Sequence, residues 1–323
     1  MKYGEILSKA ARLTWRNKAL WVFGVLLVLT GSNAGSSSNG TVYSFGNSDY
    51  GSWASDLPIL GSGHGDLALV GAMALVGVGL ILAVLGTLVR LTSLGALIGL
   101  ADAAEQGERV TFTDGVRRGW ESFWRMLGIS LLIGLAGFVA VLAILLVALP
   151  VAAVLALPAI AMIRAGDAWH VLGILWAVLA GGGWLLVLIA ALVATGAALS
   201  IGAEFSWRES VLQRRGVLDA ITGGFRLART NWKPSILMWL LLGLLEGLLG
   251  MVIAPVAMVL VIPALATVFA LGATDGRAAL ALVITIPLAI GAAIVLLVGN
   301  GVFATFHSVA WTLAYRELEP SER

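Results

Sequence analysis

The longest apolar stretch of the chain reads MLGISLLIGLAGFVAVLAILLVALPVAAVLALPAIAMI and runs from Met126 to Ile163. It is much longer than the about 20 residues that a helix needs to cross a hydrocarbon core of about 30 Å. Four more stretches meet this criterion: Leu67–Val89, Ala168–Ala203, Ser235–Ala273 and Ala278–Ala314. A shorter one, Ala19–Gly31, follows a basic amphipathic segment and is interpreted as a first span. The sequence therefore predicts an all-α membrane protein with six transmembrane helices.

The composition agrees with this class of protein. Hydrophobic residues make up 59% of the chain and charged residues 12%, which is about half the charged share of a soluble domain. A chain of 323 residues with six helices has no room for a large soluble domain, so residues 1–323 are interpreted as one membrane domain. The chain has no cysteine, which excludes disulfides, thiolate metal sites and cysteine nucleophiles.

The basic residues are distributed asymmetrically between the two sides of the predicted membrane. All but two of the 20 Lys and Arg fall on one side, including Arg208 between the fourth and fifth spans. Only Arg164 and Arg277 fall on the other side. Cytoplasmic loops carry an excess of Lys and Arg, so both termini of this multi-pass protein are predicted to be cytoplasmic.

The chain contains an internal repeat. PVAAVLALPA, beginning at Pro150, and PVAMVLVIPA, beginning at Pro255, match at seven of ten positions with an offset of 105 residues. The same offset aligns Asp114 with Asp219 and Gly119 with Gly224. We expect three units of about 1–106, 107–212 and 213–323, each a helical hairpin. Because each unit crosses the membrane twice, the three repeats are predicted to be parallel.

Each unit opens with polar residues at steps of three and four, which fall on one face of a helix. These positions are 5, 9, 12 and 16 in the first unit, 114, 118, 121 and 125 in the second, and 219, 222, 226, 229 and 233 in the third. We interpret them as three short amphipathic helices on the cytoplasmic leaflet, where basic groups meet anionic headgroups. The alternative is that these segments simply extend the transmembrane helices.

Three features concern the outer side of the membrane. Pro150, Pro158, Pro255 and Pro263 are expected to bend the long helices, because proline removes a backbone donor and clashes with the preceding turn; whether the bent halves line a cavity or only pack sideways is left open. Residues 32–66 are rich in Gly and Ser and predict a flexible outward loop. His64, Asp66, Asp167 and His170 match no metal-site spacing and are interpreted as loop residues.

Glu246 is the strongest candidate for a functional residue, because an ionisable group within a span is costly to place in lipid. A structural alternative is that Glu246 pairs with Arg90 or is protonated inside the bundle. Arg90, Glu204, Asn300 and His307 fall toward the cytoplasmic ends of their spans. They are candidates for one polar cluster with Glu246, or for separate residues that reach the headgroups.

Two segments carry a resemblance to a known group of proteins. They are ESVLQRRGVLDAITGGFRLARTNW, from Glu209 to Trp232, and WRNKALWVFG, from Trp15 to Gly24. Both resemble poorly characterised bacterial six-helix membrane proteins related to the membrane domain of some glycerophosphodiester phosphodiesterases. The resemblance implies a location in the bacterial cytoplasmic (inner) membrane and a helical architecture. It transfers no catalytic residue, because the soluble phosphodiesterase domain has no counterpart in this sequence.

The sequence contains no nucleotide-binding loop, nucleophile elbow or zinc signature. We therefore predict a non-enzymatic scaffold or accessory membrane component without a cofactor. Its expected partners are membrane lipids with anionic headgroups at the cytoplasmic face, together with a protein partner or a second copy of the chain, and not nucleic acid. The alternative is a transporter or lipid-handling protein with a polar path near Glu246.

Overall fold

The computed structural model describes residues 2–31, 65–272 and 278–319, and these residues form helices joined by short turns. The helices are α1 (Tyr3–Arg16), α2 (Lys18–Leu29), α3 (Gly65–Glu105), α4 (Phe112–Ala165), α5 (Asp167–Trp176), α6 (Gly182–Leu212), α7 (Val217–Thr230), α8 (Trp232–Gly272) and α9 (Ala278–Leu318). A π-helical turn, Ala177–Gly181, joins α5 to α6. Gly107 and Gly166 end α3 and α4 in turns with positive φ, a backbone conformation that glycine adopts without steric cost.

Among the residues that the structure describes, five helical segments are long and apolar enough to cross a membrane, as in a multi-pass membrane protein. They are Met73–Glu105, Phe112–Ala165, Trp169–Leu212, Trp232–Thr267 and Val283–Leu318. These segments confirm the five long spans predicted from the sequence. The predicted first span, Ala19–Gly31, corresponds to α2. This helix has 12 residues and a length of about 18 Å, which is shorter than a hydrocarbon core. The first span therefore stays a prediction. The predicted loop at 32–66 lies almost wholly outside the described residues and also stays a prediction.

The amphipathic segments differ between the three units. In the first and third units they are separate helices, α1 and α7, which end at Asn17 and Asn231 with non-helical backbone angles. The side chains of Asn17 and Asn231 donate to the carbonyls of Leu13 and Leu227, at 3.1 and 3.4 Å. An asparagine that bonds the preceding turn in this way competes with helix continuation.

In the second unit the prediction of a separate short helix is wrong. The segment from Phe112 to Arg125 runs without interruption into the 54-residue helix α4. At the offset of 105, Asn231 corresponds to Met126, which has no side-chain amide to bond the preceding carbonyls. The alternative, in which the amphipathic segment extends the transmembrane helix, is therefore the one that the structure shows for this unit.

The prolines lie inside continuous helices. Pro150 and Pro158 are within α4, and Pro255 and Pro263 are within α8. Neither helix ends at a proline, so each outer half continues in the same helix. The size of any bend and its role stay predictions.

The buried core lies at one end of the molecule, where α3, α6 and α9 finish and contact one another. We call these three segments, residues 91–105, 200–212 and 303–318, the inner ends. Large, fully buried side chains fill the space between them, among them Leu97, Phe205, Trp311 and Tyr315. The outer halves of the long helices instead expose apolar side chains, such as Val76 at 70% and Leu146 at 73%. In a membrane protein such surfaces face lipid.

Around the inner ends, each amphipathic segment packs on the last helix of another unit. The start of α4 packs on α3, α7 packs on α6, and α1 packs on α9. Glycines allow close backbone approach at three places, because a Cβ at Gly24, Gly119 or Gly224 would overlap backbone atoms of Gly301, Thr92 and Ser206 respectively. Because α1 and α2 contact α9, the first unit packs against the third. The beginning and the end of the described chain are therefore neighbours.

Candidate functional site

A buried ion pair lies at the centre of the inner ends. Arg208 and Glu204, one turn apart on α6, form a salt bridge in which their side chains are 0% and 5% exposed. The Arg208 guanidinium also donates to the carbonyl oxygen of Glu204 at 2.6 Å and to that of Ser308, on α9, at 3.2 Å. A buried charge is tolerated only when it is paired and hydrogen-bonded. Arg208 therefore links α6 to α9 through its hydrogen bond to the Ser308 carbonyl.

This network leaves some polar atoms without a partner. Arg208 Nε and the hydroxyls of Ser210 and Ser308 are buried and make no hydrogen bond with described atoms. Unsatisfied buried groups cost about 1–3 kcal/mol each. The cluster therefore places costly polar atoms beside the large apolar side chains of the core.

An imidazole borders the ion pair. His307 lies on α9 and is buried, and its Nε2 accepts a hydrogen bond from Trp311 Nε1 at 3.2 Å. An imidazole nitrogen that accepts carries no proton, so the imidazole is neutral with its hydrogen on Nδ1. His307 directly precedes Ser308, whose carbonyl oxygen accepts a hydrogen bond from Arg208. Trp311 in turn packs edge-on against Phe205 of α6, with the ring centres 5.5 Å apart.

A second buried carboxylate joins α6 to the end of α9. Glu209 accepts a hydrogen bond from the Tyr315 hydroxyl at 2.5 Å on one oxygen and one from Arg215 at 2.5 Å on the other. Gln213 donates to the Tyr315 hydroxyl at 3.0 Å and also bonds Glu319. The Glu209 side chain is 7% exposed, whereas that of Arg215 is 43% exposed. The network thus runs from the core to the surface of the molecule.

Exposed ion pairs surround this core and link the units at its rim. Arg316 of α9 donates twice to Asp102 of α3, at 2.9 and 2.6 Å. Lys9 of α1 pairs with Glu105 of α3 at 2.7 Å. The first contact joins the third unit to the first, and the second lies within the first unit. Each exposed pair contributes little free energy.

The structure brings together two of the five predicted polar residues. Glu204 and His307 share the buried cluster described above. Asn300 lies two turns earlier on α9 and donates to Leu296 of its own helix at 2.8 Å. Arg90 and Glu246 are half-buried, on α3 and α8. Arg90 forms no ion pair with any described residue, and the role of Glu246 stays a prediction.

Sequence reasoning missed the residues that complete the cluster. The interpretation of Arg208 as a loop cation is wrong, because this side chain is fully buried within α6. The helix α6 continues to Leu212, well beyond the predicted end of the span at Ala203. The signal that would have found the pair is the spacing of Glu204 and Arg208, since residues four apart on a helix are neighbours. Nothing in the sequence marks Tyr315 as the partner of Glu209.

Comparison with known proteins gives no match, since no family model, curated protein or solved structure resembles the chain. The resemblance to six-helix membrane proteins therefore stays a prediction.

Proposed function

We propose that the protein is a non-enzymatic multi-pass membrane component, built from three parallel hairpins that are joined at the cytoplasmic side. The observation that carries this proposal is the close packing of the inner ends. Arg208, Phe205, Trp311 and Tyr315 are fully buried there, so large side chains fill the space between the described inner ends. The apolar outer halves supply a large lipid-facing surface, as expected of a protein that organises membrane components.

The repeated packing supports the three-unit architecture with six spans. An amphipathic segment lies against the last helix of a neighbouring unit at all three junctions. The first and third segments end at asparagines that make the same bond to the carbonyl four residues earlier. A parallel repeat around an axis normal to the membrane accounts for both features.

The orientation is tested by cysteine labelling, for which the absence of native cysteine is convenient. Gln106→Cys lies in the exposed turn between α3 and α4, and Ala165→Cys lies at the end of α4 on the opposite side of the molecule. A membrane-impermeant maleimide applied to intact cells should label Ala165→Cys, and should label Gln106→Cys only after the cells are permeabilised. The reverse pattern would overturn the proposed orientation.

The scaffold proposal is tested against the transporter or lipid-handling alternative with Glu246→Gln. The half-buried carboxyl of Glu246 within an apolar helix is the observation that favours the alternative. In reconstituted vesicles, the scaffold proposal predicts that the wild type moves neither ions nor fluorescent phospholipid above the rate of empty vesicles. Movement by the wild type that is lost in Glu246→Gln, but kept in the exposed control Glu121→Gln, would replace the scaffold by the alternative.

A further inference from the structure

An open groove of about 400 Å³ lies on the surface of α7, lined by Arg215, Asp219, Thr222, Gly223 and Arg226. Four of these residues fall on one face of the helix, at steps of three and four. The fifth, Arg215, reaches this face from the turn before α7. The groove therefore presents two guanidinium groups, one carboxylate and one hydroxyl along about two turns of helix.

Arg215 is held in place by the buried network. Its Nη1 donates to Glu209 at 2.5 Å, and Glu209 is fixed from the other side by the hydroxyl of Tyr315. Gly223 makes room for this pair, because a Cβ there would lie 2.8 Å from Glu209 Oε1 and 3.4 Å from Arg215 Nη1. A guanidinium has five N–H donors, so those not used by Glu209 remain for a ligand. The donors are positioned before a ligand arrives.

The charges around the groove balance. Arg215 is neutralised by Glu209, while Arg226 and Asp219 form no ion pair with any described residue. Two positive and two negative groups favour a ligand that carries both signs. A phosphate matches the guanidinium groups, and an ammonium matches Asp219, which lies one turn (about 5 Å) from Gly223. The Thr222 hydroxyl donates to the Asp219 carbonyl at 3.1 Å, which leaves its oxygen free to accept from the ammonium.

The surroundings of the groove indicate that this ligand belongs to a lipid. Leu218, next to Asp219 and one turn before Thr222, is an apolar side chain that is 69% exposed. Trp232, just after α7, is 57% exposed, and exposed tryptophans are typical of the membrane interface. A headgroup in the groove would place its acyl chains toward these residues.

We infer that the groove binds the headgroup of a zwitterionic phospholipid with a primary ammonium, the phosphoethanolamine type. Its phosphate lies between Arg215 and Arg226, and its ammonium lies against Asp219. This inference rests on the proposed function, because α7 must lie at the lipid headgroups. The second unit lacks the two arginines: at the offset of 105, Arg215 and Arg226 correspond to Val110 and Glu121, which supply no guanidinium.

The test is lipid binding to the full chain in detergent micelles, measured by native mass spectrometry. The probes are dioctanoyl phosphatidylethanolamine, dioctanoyl phosphatidylglycerol, free O-phosphoethanolamine and inorganic phosphate. The wild type should bind the phosphatidylethanolamine at least fivefold more tightly than the phosphatidylglycerol, and should bind the two soluble phosphates far more weakly. Equal binding of the two lipids, or binding of free phosphate as tight as that of lipid, would overturn the inference.

Variants separate the groove from general attraction to the surface. Arg226→Gln should weaken phosphatidylethanolamine binding about tenfold, the effect of losing one charge-assisted hydrogen bond. The matched control is Arg229→Gln, which removes the same charge from the same helix outside the groove and should change binding less than twofold. Asp219→Asn should abolish the preference for the ethanolamine lipid while the protein still binds the glycerol lipid. Equal effects of the two arginine variants would contradict the inference.

Failure of this inference is distinguishable from failure of the proposed function. Extraction of the same variants from membranes with alkaline carbonate reports integral membrane insertion independently of the groove. If the wild type resists extraction but shows no lipid preference, only the headgroup site is wrong. If the wild type is extracted as a soluble protein, the membrane assignment fails first.

Discussion

The hydroxyl of Tyr315 donates a hydrogen bond of 2.5 Å to the carboxylate of Glu209 and so joins the end of α9 to the end of α6. The two residues are 106 positions apart in the sequence. The same carboxylate holds Arg215 at the surface. The Glu209 carboxylate therefore connects the buried core of the molecule to its exposed surface.

Removing this hydroxyl should destabilise the protein. Tyr315→Phe leaves a buried carboxylate short of one donor, and we expect a loss of about 1–3 kcal/mol in the free energy of unfolding. The measurement is the SDS-induced unfolding transition in mixed micelles. Tyr3→Phe is the control, because Tyr3 is only partly buried against the core. This variant should lose no more than about 0.5 kcal/mol of unfolding free energy. Equal shifts for the two variants would show that the Glu209–Tyr315 bond contributes nothing.

The buried ion pair should behave as a coupled unit. Arg208→Met leaves Glu204 buried without its partner, and breaking such a pair costs about 3–5 kcal/mol. The double variant Glu204→Gln, Arg208→Met should recover part of this loss, because no buried charge remains. A double-mutant cycle measured by the same unfolding transition gives the coupling energy. Strict additivity of the two single variants would contradict the pairing.

An exposed pair should behave differently. Lys9→Gln removes the ion pair with Glu105, in which the Lys9 side chain is 52% exposed. We expect a loss below about 1 kcal/mol, since solvent and salt screen such pairs. Raising the salt concentration should abolish the difference from the wild type. A loss as large as that of Arg208→Met would mean that the rim, and not the core, holds the inner ends together.

The contact of α2 with α9 depends on the small size of Gly24. A Cβ there would overlap the carbonyl oxygen of Gly301 and the hydroxyl of Thr305, so Gly24→Ala should cost about 1–3 kcal/mol. The control is Gly86→Ala, where a Cβ meets no atom within 4 Å. Because alanine has the higher helix propensity, the control variant should be as stable as the wild type or more stable. A harmless Gly24→Ala variant would argue against close packing of these two helices.

The long spans were predictable because about 20 uninterrupted apolar residues have one stable solution in lipid, a helix. Hydropathy could not predict how far each helix continues beyond its membrane span. Hydropathy placed the end of the fourth span at Ala203, whereas the helix continues to Leu212 because Glu204 and Arg208 satisfy each other on one face. Their burial depends on contacts with α9 from a distant part of the chain. Local pattern cannot supply such long-range packing.

The amphipathic segments show the same limit in another form. Three segments with similar periodicity gave two separate helices and one continuous helix. The deciding residues are Asn17, Asn231 and Met126, and the difference lies in one side-chain bond to the preceding turn. Periodicity describes which face is polar, but it does not say where a helix stops.

The packing of α1 against α9 has a consequence for how the protein is made. Translation, at about 5–20 residues per second, releases α1 before α9, so α1 waits on the order of tens of seconds for α9 to be synthesised. Until then Ile6 and Ala10, which are buried in the finished structure, lack α9, the helix that α1 contacts most extensively. Assembly of the core can therefore finish only after α9 has left the ribosome.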